Sequence, residues 1–247
     1  MEMEILDLVL VPTGLFIMIT YHLWLLYRIV KHPTKTAIGV NSINRRLWVQ
    51  AMMEDVSKNG VLAVQSLRNN LMASTLLAST AIMLSSLIAV LMTNRNDGGV
   101  VSMVFGDRTE LVLSMKFFSI LICFLLAFLL NIQSIRYYSH ASILINVPFK
   151  KLSSNLRRQK QTAEYVVNTL SRGSYFWSLG LRAFYFSFPL FMWIFGPIPM
   201  FFSCFALVFL LYFLDAPFEC GWATVKGVND HECVQVEVPK QHCIDME

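Results

Sequence analysis

Four stretches of the chain, at about 5–30, 71–92, 111–130 and 183–214, are apolar, poor in charge and long enough as helices to cross a hydrocarbon core of about 30 Å at 1.5 Å per residue. Inside a bilayer every backbone N–H and C=O must be bonded within the protein, and a stretch of this length satisfies that only as an α-helix. Composition agrees: 55% of the 247 residues are hydrophobic against 15% charged, with nineteen Phe and a mean hydropathy of +0.55. That is too much apolar surface for a water-soluble globule of this size. The expected fold is all-α and polytopic, a four-helix transmembrane domain over 1–215 followed by an acidic tail over 216–247.

The fourth stretch is too long for one straight crossing and too short for two full ones. Gly196, Pro197 and Pro199 lie near its middle, and proline removes a backbone donor and clashes with the preceding turn. A bent or broken single helix is expected, with a re-entrant hairpin as the alternative. Fourteen of the twenty Lys and Arg lie between the first and second stretches or between the third and fourth. The positive-inside bias puts both long loops in the cytoplasm, and four crossings then put both termini outside. Glu2 and Glu4 replace the basic start of a cleaved signal peptide, so the first span reads as a signal anchor.

Each long loop reads as helical extension of the spans rather than as a domain with its own core. Leu47, Met52, Met53 and Val56 make an apolar stripe in the first loop, and a second helix is expected from Val61 into the next span. Tyr175, Phe176 and Trp177 beside Arg172 and Arg182 resemble an interfacial aromatic belt. Lys150, Lys151, Arg157, Arg158 and Lys160 form a basic cluster suited to anionic lipid headgroups, with an interface-lying helix as the plainer reading.

Nucleotide, dinucleotide, zinc-protease and serine-hydrolase signatures are missing. No enzyme activity, cofactor or metal is expected, and the sorting of basic residues by topology argues against a nucleic-acid partner. The tail holds Cys220, His231, Cys233, His242 and Cys243; no defined role, a disulfide or a metal site all remain open. Cys123 and Cys204 read as small apolar packers.

At 100° per residue, Arg68, Thr75, Ser79 and Ser86 share one face of the second span, with Asn69 and Asn70 at its cytoplasmic mouth. This face reads either as helix packing, with the small residues Ala81, Ser85 and Ala89 alongside it, or as a polar conduit whose mouth favours anions. His22 in the first span, and Asn131, Gln133 and Arg136 where the third helix continues past the membrane until Pro148, are further polar candidates, for bonding a neighbouring helix or lining the same path.

Three strings carry a resemblance: Asn44-Arg45-Arg46-Leu47-Trp48, the run from Gln65 through Asn70 to Thr75, and Arg182-Ala183-Phe184-Tyr185 leading to Phe188-Pro189 and Phe195-Gly196-Pro197. On these the chain, from about 5 to 215, resembles the four-span membrane proteins of land plants and some bacteria catalogued as a domain of unknown function. The resemblance implies a plasma-membrane or endomembrane protein and no particular activity. The expected role is an oligomeric pore or a solute or anion transport component; the alternative is a non-catalytic scaffold or accessory subunit. Expected partners are the bilayer, anionic headgroups, and further copies of the chain or another membrane protein.

Overall fold

A computed structural model describes residues 2–32, 35–93, 110–148 and 156–215. Among them are six helices: α1 Glu2–Lys31, α2 Ala37–Glu54, α3 Val56–Thr93, α4 Glu110–Leu144, α5 Leu156–Phe195 and α6 Pro197–Asp215. Five of these, all but α2, are long and apolar enough to cross a membrane. The described residues are all helical and belong to a polytopic membrane protein, with five candidate spans where four were expected.

The difference lies at Gly196. Its φ of 149° is left-handed backbone that a Cβ disfavours, and there the chain turns back on itself. Pro197 and Pro199 fall in the first turn of α6, where the missing N–H groups have no intrahelical partner to lose. The run 183–214 therefore belongs to two antiparallel helices, not to one bent helix. Its apparent shortage of residues disappears because α5 starts far upstream, at Leu156, and crosses using residues before 183. Arg182 had marked that region as loop, but its charge is matched by Asp215 (below). Pro189 lies inside α5 without ending it.

Cross-helix contacts fix the directions. Gly60 faces Asn146 and Ser74 meets Ser134, so α3 and α4 are antiparallel. Gly173 abuts Tyr137 and Tyr138, while Phe124 meets Phe184, so α4 and α5 are antiparallel. Gly14 packs on Cys204 and Trp24 stacks on Tyr212, which makes α1 and α6 parallel. The N-terminal end of α1 and the C-terminal end of α6 thus lie at opposite ends of the bundle. The parity of four that placed both termini on one side has lost its basis.

Two cores stack along the bundle. One, in the layer crossed by all five long helices, is built on Val11, Met18, Ile88, Phe117, Ile120, Phe124, Leu190, Met200 and Cys204. The other joins Val49 of α2 to Ala63 and Leu67 of α3, Tyr138 and Ala141 of α4 with Ile145 just after it, and Val166, Val167 and Leu170 of α5. The basic loops therefore do build a core, contrary to the expectation that they lacked one, because α3, α4 and α5 outrun α6 and α2 closes the space among them. α2 begins at a Thr36 cap, whose hydroxyl accepts from the Gly39 N–H at 3.3 Å. Asp55 caps α3 in the same way through the Lys58 N–H, so α3 starts at Val56 and not at Val61.

Candidate functional site

At the basic end, a cavity of about 380 Å³ opens among α2, α3, α4 and α5. Asn41, Asn44, Arg45 and Trp48 come from α2, Ser66, Leu67 and Asn70 from α3, Tyr138 from α4, and Leu170, Ser174 and Trp177 from α5. On helices, 41, 44, 45 and 48 recur at three and four residues and share a face, as do 66 and 70, and 170, 174 and 177. Two of the strings carrying the resemblance meet here, one through Asn44, Arg45 and Trp48 and the other through Ser66, Leu67 and Asn70. The lining holds one formal positive charge and no carboxylate. Arg45 Nη1 and Trp177 Nε1 are buried and find no hydrogen-bond partner among the described residues. Burial depresses the Arg45 pKa, and the phenols of Tyr138 and Tyr175 oppose that shift. A guanidinium nevertheless stays charged, so the site is a cation flanked by neutral donors.

A second cluster closes the bundle where α6 ends. Arg182 Nη2 donates to both carboxylate oxygens of Asp215, at 2.7 and 2.9 Å, and the Tyr21 hydroxyl donates to Asp215 Oδ2 at 2.7 Å. The Arg182 and Asp215 side chains keep only 15% and 11% of their exposure. Nearby, His22 Nδ1 donates to the Met18 carbonyl at 2.7 Å and its ring meets Phe186 edge-on. At the other end of the same layer, Lys116 is fully buried with Nζ 5.2 Å from the centre of the Trp193 ring, and Trp193 Nε1 donates to Asp7 at 3.2 Å. Arg182 and Trp193 are eleven positions apart on α5, about 17 Å of helix.

The expected polar face of α3 points away from its neighbours. Arg68, Asn69, Thr75, Ser79 and Ser86 are exposed on the outside of the bundle, and the hydroxyls of Thr75 and Ser86 donate to their own helix at Leu71 and Ile82, both at 2.9 Å. The buried face of α3 is the small-residue stripe beside them: Ser74, Ala78, Ala81 and Ser85. Ala89, which continued that series in the sequence, is exposed. Ser74 meets Ser134 Oγ at 3.2 Å, and Ser134 donates to the Gly173 carbonyl at 2.8 Å, so one hydroxyl chain ties α3, α4 and α5.

Of the other candidates, Asn131 is fully buried, donates to the Ala127 carbonyl and packs on Gly180. Gln133 is half-buried and Arg136 exposed. Arg157, Arg158 and Lys160 are exposed at the start of α5, far from the cavity; Lys150, Lys151 and the tail Cys and His lie outside the described residues. Only Asn70 among the candidates lines the cavity.

Arg45, Tyr138, Ser174 and Trp177 as one site, and Arg182 with Asp215, were not legible as pairs. The first four come from three helices, and Asp215 stands 33 positions from Arg182 and 194 from Tyr21. The one local signal was charge without compensation: an Arg inside an aromatic run and an Asp ending an apolar helix.

No curated protein and no solved structure is significantly similar to the chain. A family model does match, over residues 9–219, and its description is a protein of unknown function, DUF599. The match covers all five long helices and the cavity, and the chain belongs to this family.

Proposed function

We propose that the protein is a non-catalytic membrane component that moves an ion or small polar solute across the bilayer. One observation carries this reading: two clusters of ionisable groups lie along the membrane-crossing part of α5, about 17 Å apart, Arg182 with Asp215 and Tyr21 in one, and Trp193 with Lys116 and Asp7 in the other. Ionisable groups buried in membrane helices are costly and mark ion or solute routes by default. The excess of Lys and Arg at the end holding α2 orients that end to the cytoplasm. With five crossings, the N-terminus is outside and the segment after Asp215 inside, in the plasma membrane or an endomembrane. A pore along Arg68, Thr75, Ser79 and Ser86 requires copies of the chain to meet at that outward face.

Flux into proteoliposomes, measured for a panel of small anions, monovalent cations and neutral solutes, tests the reading. Wild type should exceed protein-free vesicles for at least one solute. Lys116→Met and Asp215→Asn should each reduce that flux at least ~10-fold, the loss of about 1.4 kcal/mol of stabilisation of the moving species. Flux equal to protein-free vesicles for every solute overturns the transport reading in favour of a scaffold or accessory subunit.

A further inference from the structure

We propose that the cavity among α2, α3, α4 and α5 binds a phosphoryl group, carried by a lipid headgroup or by a soluble phosphate ester. This inference does not depend on the transport reading. Its charge comes from Arg45, and no lining residue is acidic. Two donors, Arg45 Nη1 and Trp177 Nε1, are already desolvated without a partner among the described residues. A buried donor left unmade is a standing cost that an acceptor ligand removes. Asn44, Asn70 and Ser174 add neutral donors from three different helices. Donors drawn from α2, α3 and α5 suit a tetrahedral group with three acceptor oxygens, whereas a planar carboxylate offers only two. The volume of about 380 Å³ lies in the range of small-ligand pockets and exceeds what a bare ion needs.

Depth points the same way. The nineteen residues of α6 rise about 28 Å, close to the thickness of a hydrocarbon core, and end at Asp215 beside Arg182. Trp177 is five positions further toward the basic end on α5, about 7.5 Å. The cavity therefore opens just beyond the hydrocarbon, where phosphates of lipids lie and where soluble phosphate esters also reach. The exposed Arg157, Arg158 and Lys160 sit well past this level and do not line it.

Ligand-induced thermal stabilisation of the full chain in phosphatidylcholine nanodiscs tests the proposal with two probes. One is soluble glycerol 3-phosphate; the other is phosphatidic acid built into the disc. A saturable shift with the first assigns a soluble ester, and a shift confined to the second assigns a headgroup; either supports the site. Arg45→Gln should weaken binding ~10- to 100-fold, and Trp177→Phe, which keeps an aromatic six-membered ring and removes the N–H with the rest of the indole, ~3- to 10-fold. Without ligand, Trp177→Phe should lose little stability, because the packing it gives up against the basic-end core is partly offset by deletion of an unpartnered donor; the ligand-induced shift, which a purely structural tryptophan would leave unchanged, is the readout. That variant decides the matter where Arg45→Gln does not fold. Arg68→Gln, exposed on α3, should bind like wild type. No saturable shift with either probe, equal affinity in wild type and Trp177→Phe, or an equal loss in Arg68→Gln overturns the proposal.

Discussion

Arg182 lies in a run of aromatic residues, where a lone guanidinium would make the crossing of α5 expensive. Its two bonds to Asp215 and the Tyr21 hydroxyl on the same carboxylate turn that cost into a clasp joining α1, α5 and α6. Breaking a buried pair on one side costs about 3–5 kcal/mol, with this pair at the low end because some exposure remains, whereas replacing both partners by apolar groups is often neutral. Asp215→Asn and Arg182→Met should therefore each lower the melting temperature in detergent, and Arg182→Met with Asp215→Leu should recover most of the loss. Additive losses in the double variant would show that the two residues act separately. Neither residue's role was readable beforehand. Arg182 counted as a loop base in the sequence because its neutralising partner arrives 33 positions later, from the opposite end of a helix. The hydroxyls of Thr75, Ser79 and Ser86 lie at exposed positions of α3; periodicity groups residues on a face but does not say which face a neighbour covers. Packing chose the stripe with less bulk, Ser74, Ala78, Ala81 and Ser85, since small side chains let α4 approach closely.

Among the elements, the α5–α6 turn decides the architecture. Gly196 holds a backbone conformation that strains any residue with a Cβ, at a cost of about 1–3 kcal/mol. Gly196→Ala should lower the unfolding midpoint accordingly. Gly60 makes a useful contrast, because it lies inside α3 with ordinary helical backbone and a Cβ there would meet only side chains, those of Asn146 and Val56. If Gly196→Ala unfolds at the wild-type temperature, the turn does not depend on the left-handed conformation. The position of the break is legible from Gly196 and its two prolines, but a reversal enters only as the alternative of a re-entrant hairpin, because hydropathy places the start of the crossing after Arg182. The apolar spans at the N-terminus, in α3 and in α4 needed no such correction, since their charges lie at their ends or, like Lys116, were too few to interrupt the pattern.

At the scale of the whole molecule, the described helices form an apolar layer of five candidate spans and, at one end, a smaller core closed by α2. That second core positions Arg45, Asn70 and Trp177 around one cavity, so the end carrying most of the positive charge is also the end with a built concavity. Composition revealed the first layer, because apolar length is a local property. It concealed the second, because the residues that make it, from Val49 to Leu170, are spread through segments whose average is polar. On the proposed topology, five crossings with a basic end in the cytoplasm would put the N-terminus and the segment after Asp215 on opposite sides of the membrane. The tail supplies its own reporters in Cys220, Cys233 and Cys243, while a glycosylation acceptor added ahead of Glu2 reports the other end. In intact cells, the acceptor should be glycosylated and the tail cysteines should react with a membrane-impermeant maleimide only after permeabilisation. Labelling of the tail from outside in cells that also glycosylate the N-terminus would put both ends on one side, and would contradict the five-crossing bundle.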